Sequence, residues 1–278
     1  MIRIKLPDAL PPDVEVWKIE AARITKQIVD AKTVAEKHIL IEKYKNHWRD
    51  ASLVKFFSQL SYDKCWYTET KFGGDYQEIE HFRPKKGTKN EDGALHQTHS
   101  GYYWLAFDLD NYRLCKRRPN AKKGTYFPII DEHNRASSAD RDWRDELPLI
   151  LDPVDEEDHL FLSFEDNGKP VPALGLEKQD VRRVVFTIDK FYLDEDILNK
   201  RRAETWKTCR SLYHKYLNAM KLAKATSIDK ISLREGAKRD LALLKKMLNP
   251  DEEFSAVAKQ SLIKTGDLMA INIASSIS

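Results

Sequence analysis

With 278 residues, 41% of them apolar, the chain is long enough for one large domain or two to three small ones around a substantial core. Its 6 Trp, 11 Tyr and 11 Phe exclude a disordered polymer, and no apolar run approaches the roughly 20 residues of a membrane span. A net charge of +3 excludes a bulk polycation, and 3 widely spaced cysteines exclude a disulfide framework.

The start, MIRIKLPDALPP, has no signal-peptide core, so a reducing cytoplasm with no membrane association is the expected setting. Residues 1–61 are predicted to be helical. Val14, Trp17, Ala21, Ile24 and Ile28 repeat at the helical period, Val34, Ile41, Tyr44 and Trp48 mark a second helix, and Ala51 to Ser61 continues the packing. From residue 62 to 155 the texture changes to aromatics, glycines and turns. A turn at Gly73-Gly74-Asp75 leads into a strand over Tyr76 to His81, and a flexible insertion is expected from Pro84 to Ser100. Tyr102 to Asp108 reads as a strand or a buried helix, which periodicity does not separate. Tyr112 to Leu114 is a short strand, and a helix of one or two turns opens at Asn120, with Pro119 placed to start it. In residues 156–278, His159 to Phe164 and Lys169 to Ala173 form a hairpin about Asp166-Asn167-Gly168. A long helix follows, striped by Trp206, Cys209, Tyr213, Tyr216, Leu217 and Met220, then helices over Leu233 to Leu248 and after Asn249-Pro250, and a frayed end. The fold class is α+β, a small ββα centre between helical segments. No internal repeat is present.

Three short stretches carry chemistry: Glu80-His81, Asn111 and Asn120. Hydrolysis of a phosphodiester requires a water that loses its proton, oxygens held against a cation, and a neutralised leaving oxygen. His81 suits the base role, since an unperturbed imidazole is largely neutral near pH 7. Glu80 and Asn120 are hard oxygen donors suited to one Mg²⁺ or Mn²⁺ ion. Asn111 would orient the His81 ring, and Arg83, Lys122 and Lys123 would contact substrate phosphates. Neighbouring strand residues face opposite ways, so Glu80 and His81 share a site only if the strand bends there; Phe82-Arg83-Pro84 marks its exit.

Each piece also has an ordinary reading. Asn111 fits a turn and Asn120 a helix cap. His96 and His99 fit a solvated loop, Cys209 a core stripe, and the acidic run from Asp155 to Asp158 a solvated turn. Residues 113–123 hold six basic side chains and no acid; they read equally as a phosphate-facing patch or as a solvated basic loop.

Together these stretches resemble the ββα-metal motif of HNH endonucleases. Glu80-His81-Phe82-Arg83-Pro84 matches its acidic-His-x-x-Pro form, and Asp110-Asn111 and Asn120-Ala121-Lys122-Lys123-Gly124 match the second and third parts. The narrower resemblance is to PtuB-type HNH nucleases of Septu and retron antiphage systems. It rests on IEHFRPKK, YYWLAFDLDNYRL, NAKKGTYFPI and LPLILDPVDEEDHLFLSF, is firm over Cys65 to Phe164, and is faint in the flanks. The resemblance implies an HNH nuclease core over residues 62–155 that cuts DNA by default, or RNA including tRNA, as the toxic effector of a defence complex. It also implies an ABC-type, PtuA-like ATPase partner, with a reverse transcriptase and its RNA and DNA in retron systems. One departure stands out. Many relatives bind a structural zinc through two Cys-x-x-Cys pairs, whereas here Cys65 and Cys115 lack their second cysteines, so no structural zinc is expected. The loss gives weight to an alternative, a non-catalytic nucleic-acid-binding adaptor.

Overall fold

The computed structural model describes residues 1–225 and 229–277. Helix α1 (Pro12–Asp30) opens on a proline, whose missing N–H has no helical acceptor at that position, and buries Val14, Trp17, Ala21, Ile24 and Ile28. Helix α2 (Val34–Lys43) starts on a capping box, the Thr33 hydroxyl accepting from the Glu36 N–H and the Glu36 carboxylate from the Thr33 N–H. It ends sooner than expected, so Trp48 lies in a separate 3₁₀ turn (His47–Arg49) before α3 (Ala51–Leu60), which Asp50 caps.

Strands β1 (Gln77–His81) and β2 (Tyr112–Lys116) pair antiparallel, and α4 (Arg117–Lys123) follows β2 directly. Helix α4 begins three residues before Asn120. Pro119 falls inside its first turn, where backbone N–H groups have no helical acceptor and proline is tolerated.

The segment between the strands is packed rather than a loose insertion. Lys89 bridges to both Leu95 and Tyr126, and Thr88 and His99 are buried. His99 is thus no solvated histidine: its Nε2 lies 2.9 Å from the Ala136 carbonyl, and its Nδ1 accepts from the Gly101 N–H at 3.2 Å. Gly101 has φ +92°, and a Cβ there would overlap the backbone of Lys86 and Gly87. Tyr102 to Asp108 is neither strand nor long helix but a 3₁₀ turn (Tyr103–Leu105) with Trp104 and Leu105 buried.

Beyond residue 155 the first arm of the expected hairpin begins as α5 (Asp158–Phe161) and only then becomes β3 (Leu162–Phe164), paired with β4 (Pro170–Pro172). Helix α6 (Lys178–Lys190), within the stretch after the hairpin that was expected to be helical, buries Val184 and Phe186. Four further helices complete the described chain: α7 (Asp196–Ala225), α8 (Lys230–Leu248), α9 (Ser255–Ile263) and α10 (Leu268–Ser275). Helix α10 stands where a frayed end was expected, because Asp267 caps it and Ala270 and Ala274 are buried.

Buried apolar residues form two clusters. The larger joins α1, α3, the β1–β2 pair and the residues around Phe127, Ile150 and Phe164. The smaller includes Cys209, Tyr213, Leu244, Leu248 and Leu262. Helix α7 serves both, with Trp206 in the first and Cys209 and Tyr213 in the second. The architecture is α+β, with two small antiparallel sheets among helices, and no helix among the described residues is long and apolar enough to cross a membrane.

Candidate active site

The β1–β2 register opposes Glu80 to Arg113 and His81 to Tyr112, so the ladder runs unbroken through both site residues. Without a bend, their side chains leave opposite faces of β1. His81 turns toward the 3₁₀ turn before α3, its ring edge-on to Trp48 at 5.0 Å and to Tyr112 at 5.1 Å. Glu80 turns toward α4, where the Lys123 ammonium donates to it.

On the His81 face, Nε2 lies 3.0 Å from the Ala106 carbonyl oxygen, which also accepts from the Tyr112 hydroxyl at 2.8 Å. A carbonyl only accepts, so Nε2 carries the proton and the lone pair is on Nδ1. That nitrogen sits 3.2 Å from the Lys85 ammonium. Burial, followed by the charge of Lys85, pushes His81 well below the usual imidazole range and keeps the ring neutral. Burial likewise lowers Lys85 to about 8.

Asn111 acts through the backbone. Its Oδ1 accepts from the Arg83 N–H at 2.7 Å, and its Nδ2 donates to the carbonyls of Arg83 and Leu105, both at 3.0 Å. It thereby ties the exit of β1 to the turn whose next residue, Ala106, meets His81.

On the α4 face, Glu80 is only 2% exposed and Lys123 is fully buried. Lys123 Nζ also donates to the carbonyls of His81 at 2.7 Å and Phe82 at 2.9 Å. Asn120 does not meet Glu80; its Nδ2 donates to Glu78 Oε2 at 2.7 Å. Among the described residues, no three His, Cys, Asp or Glu side chains cluster as a metal site. Mg²⁺ is often held by only one or two carboxylates, so the placement of Glu80 decides the matter. A divalent ion beside it would face a buried ammonium of like charge, with Asn120 engaged elsewhere. Glu80 and Asn120, as placed, do not fit the ion expected of them.

The basic residues divide by burial. Lys123 is fully buried, and Arg83, expected with it to contact phosphate, is 5% exposed and already engaged: it pairs with Glu146 at 2.7 Å and lies 4.2 Å over the Trp143 ring. Arg113 is likewise buried against Asp152. Lys122 stays at the surface, 3.6 Å from Asp189 and 4.7 Å over Tyr192. The outward charge of the patch belongs to Arg117 and Arg118, whose side chains are 71% and 67% exposed. The acidic run is not wholly solvated either, since Asp158 pairs with Arg183 at 2.6 Å in the interior. The Cys65 and Cys115 sulfurs lie 3.9 Å apart, buried and unbridged.

Sequence reasoning missed Lys85, Glu78 and the Ala106 carbonyl. Glu78 was within reach, because residues two apart on a strand share a face. A backbone carbonyl leaves no trace in residue identity.

No protein-family model matches the chain. The sequence is similar to Septu protein PtuB of Bacillus mycoides (strain KBAB4), with 33% identity over 151 residues, covering 54% of this chain and 50% of that protein. The chain therefore spans about half the length of the curated relative it matches.

Proposed function

We propose that this protein is a PtuB-like component of a Septu-type antiphage system. We further propose that its β1–β2–α4 unit hydrolyses phosphodiester bonds of nucleic acid in the manner of an HNH endonuclease, with His81 as general base. The observation that carries the reading is the Ala106 carbonyl on His81 Nε2, which leaves Nδ1 as a neutral acceptor. Nδ1 takes the proton of a water as its oxygen bonds to phosphorus, and the bond from phosphorus to the leaving sugar oxygen breaks. Lys85 covers Nδ1 in the free protein and must swing aside, which puts its positive charge beside the incoming phosphate. Asn111 holds the two backbone stretches that align the ring. Mg²⁺ or Mn²⁺ is the cofactor the HNH resemblance implies; no step is routed through it, because Glu80 and Asn120 do not converge. DNA is the substrate proposed, RNA including tRNA its competitor in the same assay, and an ATPase subunit of the PtuA type the proposed partner.

A second reading, a non-catalytic nucleic-acid-binding adaptor, is favoured by the buried Lys123–Glu80 pair. The test is cleavage of DNA and RNA by the chain, alone and with its ATPase partner, with Mg²⁺, with Mn²⁺ and with EDTA. The nuclease reading expects cutting that His81→Ala abolishes in a chain that still unfolds in one cooperative transition above the assay temperature. Nucleic-acid binding that weakens steeply with salt, with no cutting under any condition, would establish the adaptor.

A further inference from the structure

We infer that the Lys123 ammonium is the resident cation of the layer between β1 and α4, in the place expected of a divalent ion, and that it is a positioning residue for His81. This deepens the His81 reading and rests on it. An ammonium has three N–H donors, and here the Glu80 carboxylate and the carbonyls of His81 and Phe82 take one each. Two of those acceptors belong to the strand exit that carries the imidazole.

The polar backbone groups of that exit are each spoken for. The Phe82 N–H donates to the Asn111 carbonyl, and the Arg83 N–H to Asn111 Oδ1. The Arg83 carbonyl accepts from Asn111 Nδ2, and the His81 and Phe82 carbonyls accept from Lys123. Two residues, Asn111 from the β2 side and Lys123 from α4, thus hold five backbone groups of a buried turn, where groups left unpaired are costly. Glu80 offsets the ammonium charge in the interior, and its own unshared oxygen, Oε2, has no partner among the described residues. The acid before the histidine therefore serves the lysine, and the lysine serves the backbone of the histidine. Folding of the unit then needs no added metal.

The experiment compares the full chain with Glu80→Gln/Lys123→Met, which removes both charges together and leaves no uncompensated ion. Imidazole ¹⁵N spectra report the His81 tautomer, kcat and KM for cleavage are measured, and wild-type melting is followed in EDTA, Mg²⁺ and Mn²⁺. The inference expects wild-type melting to be insensitive to the ions. It also expects the double variant to lose the single Nε2–H signature and at least tenfold in kcat, with KM unchanged. A double variant that keeps both signature and kcat would reduce Lys123 to a counter-charge and overturn the inference. So would a melting temperature raised by Mg²⁺ in the wild type but not in Glu80→Gln. The ¹⁵N and melting readouts hold even where the wild type does not cut, which separates failure of this inference from failure of the nuclease reading.

Discussion

Asn111 shows how much one side chain can decide. Its amide makes three buried hydrogen bonds, and truncation leaves the Arg83 N–H and the Arg83 carbonyl without partners, while the Leu105 carbonyl keeps only the Asp108 N–H. Asn111→Ala should therefore cost about 3 kcal/mol, read from urea unfolding, because unsatisfied buried groups carry their full desolvation penalty. It should also lower cleavage by displacing the Ala106 carbonyl from His81. His99 gives a pH dependence of known sign. Both ring nitrogens are engaged, and burial lowers its pKa from 6.5 to about 4. Near neutrality both folded and unfolded states hold it uncharged. As the pH falls below about 6.5 only the unfolded chain takes up the proton, so stability drops until the folded group titrates near 4, by about 3 kcal/mol at most. Denaturation midpoints measured from pH 7 to 4 should show this slope, and His99→Gln should make it shallower, leaving the share of the buried His81, which is lowered in the same direction.

At the scale of elements, the β1–β2 pair works as a two-faced partition. Its unbroken ladder sends His81 to one side and Glu78 and Glu80 to the other, so the acid-histidine pair divides its labour. Helix α4 then closes the acidic side with Lys123 and Asn120 while Arg117 and Arg118 point outward. The proposed nuclease reading assigns phosphate contact to that outward face. Replacing Arg117 and Arg118 with Ser should weaken nucleic-acid binding. On duplex DNA the slope of log K against log salt should become shallower by about 0.9 for each phosphate no longer neutralised. Fluorescence anisotropy across a salt series checks this, and an unchanged slope would place the binding face elsewhere.

At the scale of the molecule, two apolar cores share helix α7. The site is embedded in the first, while Leu244 is fully buried in the second. Leu244→Ala should destabilise the protein by roughly 2–5 kcal/mol through lost burial and the cavity left behind. Cleavage measured well below the melting temperature should not change, because the substitution touches no part of the β1–β2–α4 unit. A matching loss of kcat at low temperature would show that the helical region does more than support the site.

The sequence alone determined what depends on local periodicity and on residue chemistry. The α1 stripe is legible because an amphipathic helix repeats its apolar residues every turn. The long α7 stripe, the two strands, the brief helix after them and the α+β class follow from the same kind of signal. His81 stood out because few side chains accept a proton near neutrality, and Asn111 because of its place in the HNH-like order of motifs; that Asn111 bridges two backbone segments emerged only from the fold. What only the tertiary structure decided is which partner each side chain found. Lys123 and Arg83 read as free cations, yet both are buried, because long-range packing placed a carboxylate beside each. The segment from Pro84 to Ser100 read as loose, yet it is pinned through Lys89 and His99 to residues far along the chain. The carbonyl that sets the His81 tautomer belongs to the backbone, which every residue shares, so only folding could single it out.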